Sequence, residues 1–415
     1  MKTHLKPTDA DQALEAVRWA ISEETPLELV GNGSKRALGR PFQATHTLDL
    51  SGLTGVTLYE PEELVLSARA GTPLAELEAL LAENRQQFAF EPTDFGPLLG
   101  GEAGRQTIGG VVSCNLAGPR RVKAGAVRDH FLGCQAVSGR GEAFKAGGRV
   151  VKNVTGYDLP KLVAGAYGTL TVLTEVTLKV LPAPEVTRTV LVRGLDDTDA
   201  IRVMALALQS PYEVAGAAHV PASLAGGLGV EELGTGGSDA AATAIRLEGF
   251  GRSIEYRAGK LRDLLGGFGT VDFLDREPSL AFWAALRDVK PFVAQPERLV
   301  WRLSVPPADG ARVVADIKRR LPGSDAYFDW GGGLIWLAVD PGAEAAGQHA
   351  VRGAVGLGGG SGGGHATLIR APDTVRASSD VFHPQPAPLA ALSARVKETL
   401  DPKRIFNPGR MYAGV

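Results

Sequence analysis

The chain has 415 residues, 44% hydrophobic and 22% charged, and its 44 basic and 46 acidic side chains leave a formal net charge of −2. This is a globular composition, long enough for two or three domains, without the basic stripe that counterion release onto nucleic acid requires. Only Cys114 and Cys134 occur, which excludes a disulfide framework and a cysteine-held zinc or iron–sulfur centre, and points to a reducing, cytoplasmic setting.

The opening "MKTHLKPTDADQALEAVRW" carries Pro7 and acidic residues where a secretory signal would have an apolar core. Every apolar run is broken by charge or glycine before the roughly 18 residues that a membrane span needs. Thr8 or Asp9 is expected to cap an amphipathic helix, "ADQALEAVRWAISEE", with Leu14, Val17 and Ile21 on one face and Pro26 ending it. Strand "LELV" leads into the turn "GNGSK", and strands follow in "THTLDLS", "GVTLYEP" and "LVLSARAGT". The next helix, "TPLAELEALLAEN", is read with Thr72 as cap and Pro73 in its first turn.

From about Phe90 to Gly148 the chain is glycine-rich and reads as turns. The stretch from Val150 to Pro182 then joins a short helix after Asp158, ended at Gly165, to a regular strand that begins at Leu170. Beyond Pro184 the texture changes. Strands "VTRTVLVRG", "YEVAGAAHV", "TAIRLEGF", "RLVWRLSVP", "SDAYFDW", "LIWLAVD" and "ATLIRAP" alternate with helical patterns such as "DDTDAIRVMALALQS", "RSIEYRAGKLRDLLGG" and "DGARVVADIKRRL". They predict a separate α+β unit, an antiparallel sheet covered by helices on one face. The run "GLGGGSGGGHA" lacks the flanking strand and helix that would orient its amides and reads as a surface loop. A final helix, "APLAALSARVKETLD", precedes "PKRIFNPGRMYAGV".

Three glycine sites carry chemistry. In "ELVGNGSK", Gly31 and Gly33 flank Asn32 directly after a strand, so backbone N–H groups and the Ser34 hydroxyl can converge on an anion. A plain β-turn accounts for the two glycines equally well. A Rossmann fingerprint is excluded, because the helix comes before the strand and "RALGRP" is no helix. In "QTIGGVVSCNLAGPRR", Gly109 and Gly110 remove side chains at one point, and Asn115 and Gly118 add polar contact and clearance; a long cofactor or a packed turn would each use this spacing. In "NVTGYDLPKLVAGAYGTL", the pair Gly165 and Gly168 leaves room for a ring or a ribose, whereas a helix C-cap needs only Gly165.

In this order the three sites resemble the flavoproteins of the vanillyl-alcohol oxidase type, the PCMH-type FAD-binding fold. The likeness lies in "VGNGS", "LDLSGLTGV", "SARAGTPLAEL", "TIGGVVSCNLAG", "KNVTGYDLPKLVAGAYGTLTVLTEVTLKVLP" and "IFNPGR". Within that superfamily the chain is similar, over essentially its whole length, to the smaller FAD-binding subunits of bacterial glycolate oxidases. The resemblance implies an α+β fold with an FAD-binding domain over residues 1–183, an antiparallel-sheet cap over 184–375, and a C-terminal segment, 376–415, returning to the FAD domain. It implies that Gly31, Asn32, Gly33, Ser34, Gly109 and Gly110 hold the pyrophosphate. Pro92, Asn115 and Gly118 would lie along the ribityl and isoalloxazine portions, Gly165, Gly168 and Thr174 at the adenine, and Asn407 and Pro408 would close the domain from the C-terminus. Many members attach flavin through a histidine in the first loop; Ser34 and Lys35 stand there in this chain, so the FAD is expected to be noncovalent.

The same resemblance implies oxidation of glycolate or another 2-hydroxy acid, with electrons passed to an iron–sulfur subunit and a homologous larger FAD-binding subunit as further partner. Any membrane association would be peripheral, through that complex. A self-sufficient hydroxy-acid dehydrogenase, or an assembly subunit that has lost FAD, are the alternatives. The metal-binding "GDGNLH"-like stretch of the larger subunits has no counterpart among the seven histidines. To grip a carboxylate, strand alternation offers Arg302, and by the same reasoning Arg246 with Glu248, and Arg370; ordinary ion pairs are the competing explanation. His383 is an acid–base candidate by residue type.

Overall fold

A computed structural model describes residues 3–149, 156–234, 241–356 and 363–415. The start of the Val150 stretch (150–155) and most of the glycine run (357–362) lie outside the described residues. The chain divides into two compact units, one of Met1–Ala117, Gly125–Ala183 and Pro384–Val415, the other of Gly118–Ala124 and Pro184–His383.

In the first unit, Asp9 caps the helix Ala10–Ser22 by accepting from Gln12 N–H, and the helix buries Ala13, Val17 and Ala20. Those residues cover a parallel sheet in which His46–Asp49 lies between Thr3–Leu5 and Leu27–Val30. An antiparallel sheet follows, in the order Val56–Glu60, Val65–Arg69, Thr171–Lys179, Phe131–Ser138, Ala143–Gly147. Its core includes Leu66, Leu77, Val111, Phe131 and Val176, while Val137 and Val172 join Val17, Leu27, Leu48 and Phe406 in a second cluster. The helix Leu74–Glu83 differs at its start from the expected one: Pro73 is the cap residue. The Thr72 hydroxyl instead donates to Arg69 O and accepts from Gly55 N–H, tying a turn rather than a helix end.

The C-terminal segment holds a buried ion pair whose lysine also fastens it to the rest of this unit. Lys397 Nζ donates to Asp401 Oδ2 (2.7 Å), to Thr169 O (2.6 Å) and to Phe406 O (3.1 Å). Asp401 also accepts from the N–H groups of Ile405 and Phe406, at 3.0 and 2.9 Å. Both side chains are fully buried, so each charge depends on the other.

The second unit holds an eight-stranded antiparallel sheet, ordered Val271–Leu274, Val186–Arg193, Ala242–Gly249, Gly216–Val220, Asp325–Asp329, Leu334–Val339, Leu299–Ser304, His365–Arg370. Helices lie on both of its faces, not one. Asp197, at the start of the helix Asp197–Gln209, reaches His219 on the Thr243 side. Trp283, from the helix Arg276–Arg287, packs on the opposite side against Arg246 and donates to Thr189 Oγ1. The strand Val271–Leu274 and the helix Arg276–Arg287 were not among the predicted elements, because "VDFL" is short and proline and charge interrupt "REPSLAFWAALR".

Replacing Asp401 by Ala strands a buried ammonium and two amide donors. Asp401→Ala is expected to lower unfolding stability by roughly 3–5 kcal/mol in urea titrations.

Candidate functional site

The strand Leu27–Val30 ends at Gly31, where the chain leaves the parallel sheet in a turn through Gly33, whose φ is +74°. A Cβ at Gly31 would lie 2.5 Å from Thr107 Oγ1, so the turn rests directly on the N-cap of the helix Ile108–Cys114. That helix is a finding the sequence did not suggest, since it carries Gly109 and Gly110 in its first turn, where glycine is a poor helix former. Gly109 is there because Ala70 O approaches within 2.7 Å of where its Cβ would be. Gly168 has φ +70°, and a Cβ on it would sit 2.8 Å from Asn407 Nδ2. At these positions the missing side chains admit the protein's own atoms, and the packing so achieved builds a groove.

Asn407 closes it. Its Oδ1 accepts from Leu29 N–H and its Nδ2 donates to Tyr167 O, both at 2.9 Å, while its own N–H donates to Leu27 O at 3.1 Å. Arg410 continues the seam, donating from Nη2 to Lys35 O at 2.9 Å.

The groove is lined by Gly31 to Arg36, Ala70, Thr107, Gly109, Gly110, Ser113, Cys114, Tyr167, Gly168, Thr171, Asn407 and Arg410, among others. Among the described residues, nothing accepts from the backbone N–H groups of Asn32, Gly33 and Ser34. The Thr171 hydroxyl is buried without a hydrogen-bond partner among those residues. Lys35 is only 9% exposed, and its Nζ has Ser34 Oγ as hydrogen-bond partner at 3.2 Å. Orphaned donors, a buried hydroxyl and a buried cation suit an anionic dinucleotide. Burial raises the Cys114 thiol, with Lys35 and Arg410 opposing, and pushes Cys134 up to about 12, which leaves Cys134 an inert core thiol.

Of the residues singled out by sequence, Gly31, Asn32, Gly33, Ser34, Gly109, Gly110, Gly168 and Asn407 meet in this groove. Others stand beside it. Asn115 ends the helix Ile108–Cys114 with φ +50° and accepts from Arg128 N–H, and Gly165 donates to Val112 O behind it. Pro92 is buried in its loop. Gly118 belongs to the second unit, its carbonyl accepting from Trp330 Nε1. Thr174 donates to Gln135 O; strand alternation turns Thr171 and Leu173 to the groove instead, a signal that the period of two already contained. Thr107 and Arg410 were also missed, being ordinary residue types with no local motif.

In the second unit the exposure expected for Arg246 is not found. It is 1% exposed, stacked 4.5 Å over Trp283 and 3.8 Å from Glu248, because the helix Arg276–Arg287 covers that face. Arg370 donates to the carbonyls of Phe292, Gln295 and Arg298. Arg302 lies 5.0 Å from the Trp330 ring, which Arg121 approaches to 4.4 Å from within the same unit. His383 Nδ1 faces Ala366 N at 3.4 Å, and burial, then Arg352, hold its ring below the usual histidine range. Among the described residues no three His, Cys, Asp or Glu side chains are grouped to hold a metal.

Residues 2–147 match the FAD binding domain family. Over 411 residues the chain is 38% identical to glycolate oxidase subunit GlcE of Escherichia coli (strain K12), covering 99% of both. The chain belongs to the GlcE family of glycolate oxidase subunits. It is also 27% identical over 221 residues to glycolate oxidase subunit GlcD of Bacillus subtilis (strain 168), spanning 53% of this chain and 44% of that one. Among solved structures, p-cresol methylhydroxylase superposes with a TM-score of 0.73 at 14% identity, over 98% of this chain and 88% of that one. The GlcE-family chain therefore has the PCMH-type α+β fold, and FAD is its cofactor.

Thr171→Val removes a buried hydroxyl that has no hydrogen-bond partner among the described residues. FAD affinity is expected to fall about tenfold, measured by flavin fluorescence, with no loss of thermal stability; Thr174→Val should show the reverse.

Proposed function

We propose that this chain is the FAD-binding subunit of a glycolate oxidase complex, in which a 2-hydroxy acid, glycolate first, becomes its 2-oxo acid. The first unit is the FAD domain and the second the cap that receives substrate. The observation that carries the reading is the groove itself: three unused amides, an orphaned hydroxyl and a buried ammonium, lined by segments that the chain's ends and middle supply. Near-full-length likeness to a GlcE subunit supports the substrate class.

When bound, FAD supplies the two-electron acceptor for the hydride leaving the substrate's Cα, while the hydroxyl proton goes to a base. The chain's own part is to bind and orient. The amides of Asn32, Gly33 and Ser34 hold the pyrophosphate, Thr171 and Asn407 fix the neighbouring wall, and attachment is noncovalent because Ser34 and Lys35 occupy the loop and burial keeps Cys114 a thiol. Arg302 is the carboxylate grip in the cap unit, and His383, held neutral, is the group there able to take a proton.

Onward electron transfer needs an iron–sulfur subunit, since two cysteines build no cluster. A larger homologous FAD-binding subunit completes the complex, in keeping with the similarity to a GlcD subunit. Among the described residues no helix is long and apolar enough to cross a membrane; we place the complex in the cytoplasm, meeting a membrane only peripherally.

An anaerobic absorption spectrum of the purified chain, before and after glycolate, tests this. Flavin bands that bleach with glycolate, alone or once the larger subunit is added, are expected; a colourless chain, or flavin that stays oxidised in the assembled complex, contradicts the reading.

A further inference from the structure

Lys35 is placed unusually for a lysine. A side chain of this type is almost never buried without an ionic partner, yet Lys35 is 9% exposed and, among the described residues, no carboxylate forms an ion pair with it. Among the described residues, its amine donates to a neutral hydroxyl, Ser34 Oγ. The amine spans the groove floor: a Cβ at Gly110 would lie 3.4 Å from Lys35 Cε and 3.6 Å from Nζ, so it sits between the Gly31–Ser34 turn and the first turn of the helix Ile108–Cys114. Arg410 holds the backbone on which it stands, by donating to Lys35 O.

We propose that Lys35 is the groove's built-in counter-cation, neutralising the anionic bridge of the dinucleotide and so tying cofactor retention to the protonation of one buried amine. This rests on the groove being the FAD site. Burial lowers the Lys35 pKa, opposed by Cys114 and then Asp94. The groups that face it are few. Cys114 is raised by burial, Arg410 stays charged, and Asp94 is occupied by the amides of Gly96 and Gly104. A bound pyrophosphate favours the ammonium and moves the pKa back up. Below the pKa of the empty groove, Lys35 is charged with or without FAD and affinity does not change with pH. Between the empty and occupied values, binding takes up a proton, and affinity falls as pH rises, by up to about tenfold per pH unit. A neutral or always-charged side chain at position 35 abolishes that slope.

The test is calorimetric titration of FAD into the flavin-depleted full chain, from neutral pH to the ordinary lysine range, in two buffers of different ionisation enthalpy. Wild type is expected to take up as much as one proton over the upper part of that range. Lys35→Met should weaken FAD on the order of 10- to 100-fold, the loss of a hydrogen bond to a charged group, and remove the uptake. Lys35→Arg should bind FAD without uptake, and Cys114→Ser should retain the uptake. FAD bound by wild type with no proton uptake, or an unchanged slope in Lys35→Arg, overturns the proposal while leaving the FAD site standing. No FAD binding by folded wild-type chain overturns the reading of the groove itself.

Discussion

One amide side chain joins three stretches of chain that are remote in sequence. Asn407 accepts from Leu29 N–H, donates to Tyr167 O and adds its own N–H to Leu27 O. Each backbone group would otherwise be left unpaired, at about 1–3 kcal/mol apiece where it is buried. The clasp works only because Asn407 adopts φ +42° and Gly168, with φ +70°, has no side chain to block it. The buried Lys397–Asp401 pair anchors the turn that delivers it. The groove in the first unit therefore depends on the last residues of the chain as much as on the first loop.

The groove so formed is electrically one-sided. Its floor presents unused amide donors, the Lys35 ammonium and the Arg410 guanidinium. Such a surface is costly to leave dry and unneutralised, and it discriminates by charge before it discriminates by shape. Glycine serves this arrangement indirectly. Gly31, Gly109 and Gly168 let the turn, the helix and the C-terminal segment approach closely enough that their donors point at one place.

Elements with strong periodicity were legible in the sequence. The helices Ala10–Ser22 and Asp197–Gln209 and most strands lie where alternation and capping put them. The loop and glycine positions of the groove were legible too, as a set of sites in a fixed order. What was not legible depended on tertiary partners. The helix Ile108–Cys114 forms against glycine's propensity because Thr107 caps it and Ala70 packs on it. Arg246 is buried by a helix whose own sequence is broken by proline and charge. Thr171 has the orphaned hydroxyl and Thr174 the satisfied one; alternation separates the two faces, and only tertiary packing decides which of them lines the groove.

The most direct measurement is the FAD content and affinity of the chain with Asn407→Ala, beside a circular-dichroism check that the variant is folded. Wild type is expected to hold one FAD per chain, and the folded variant to bind it at least about tenfold more weakly. A folded Asn407→Ala chain that keeps FAD at wild-type affinity would contradict this.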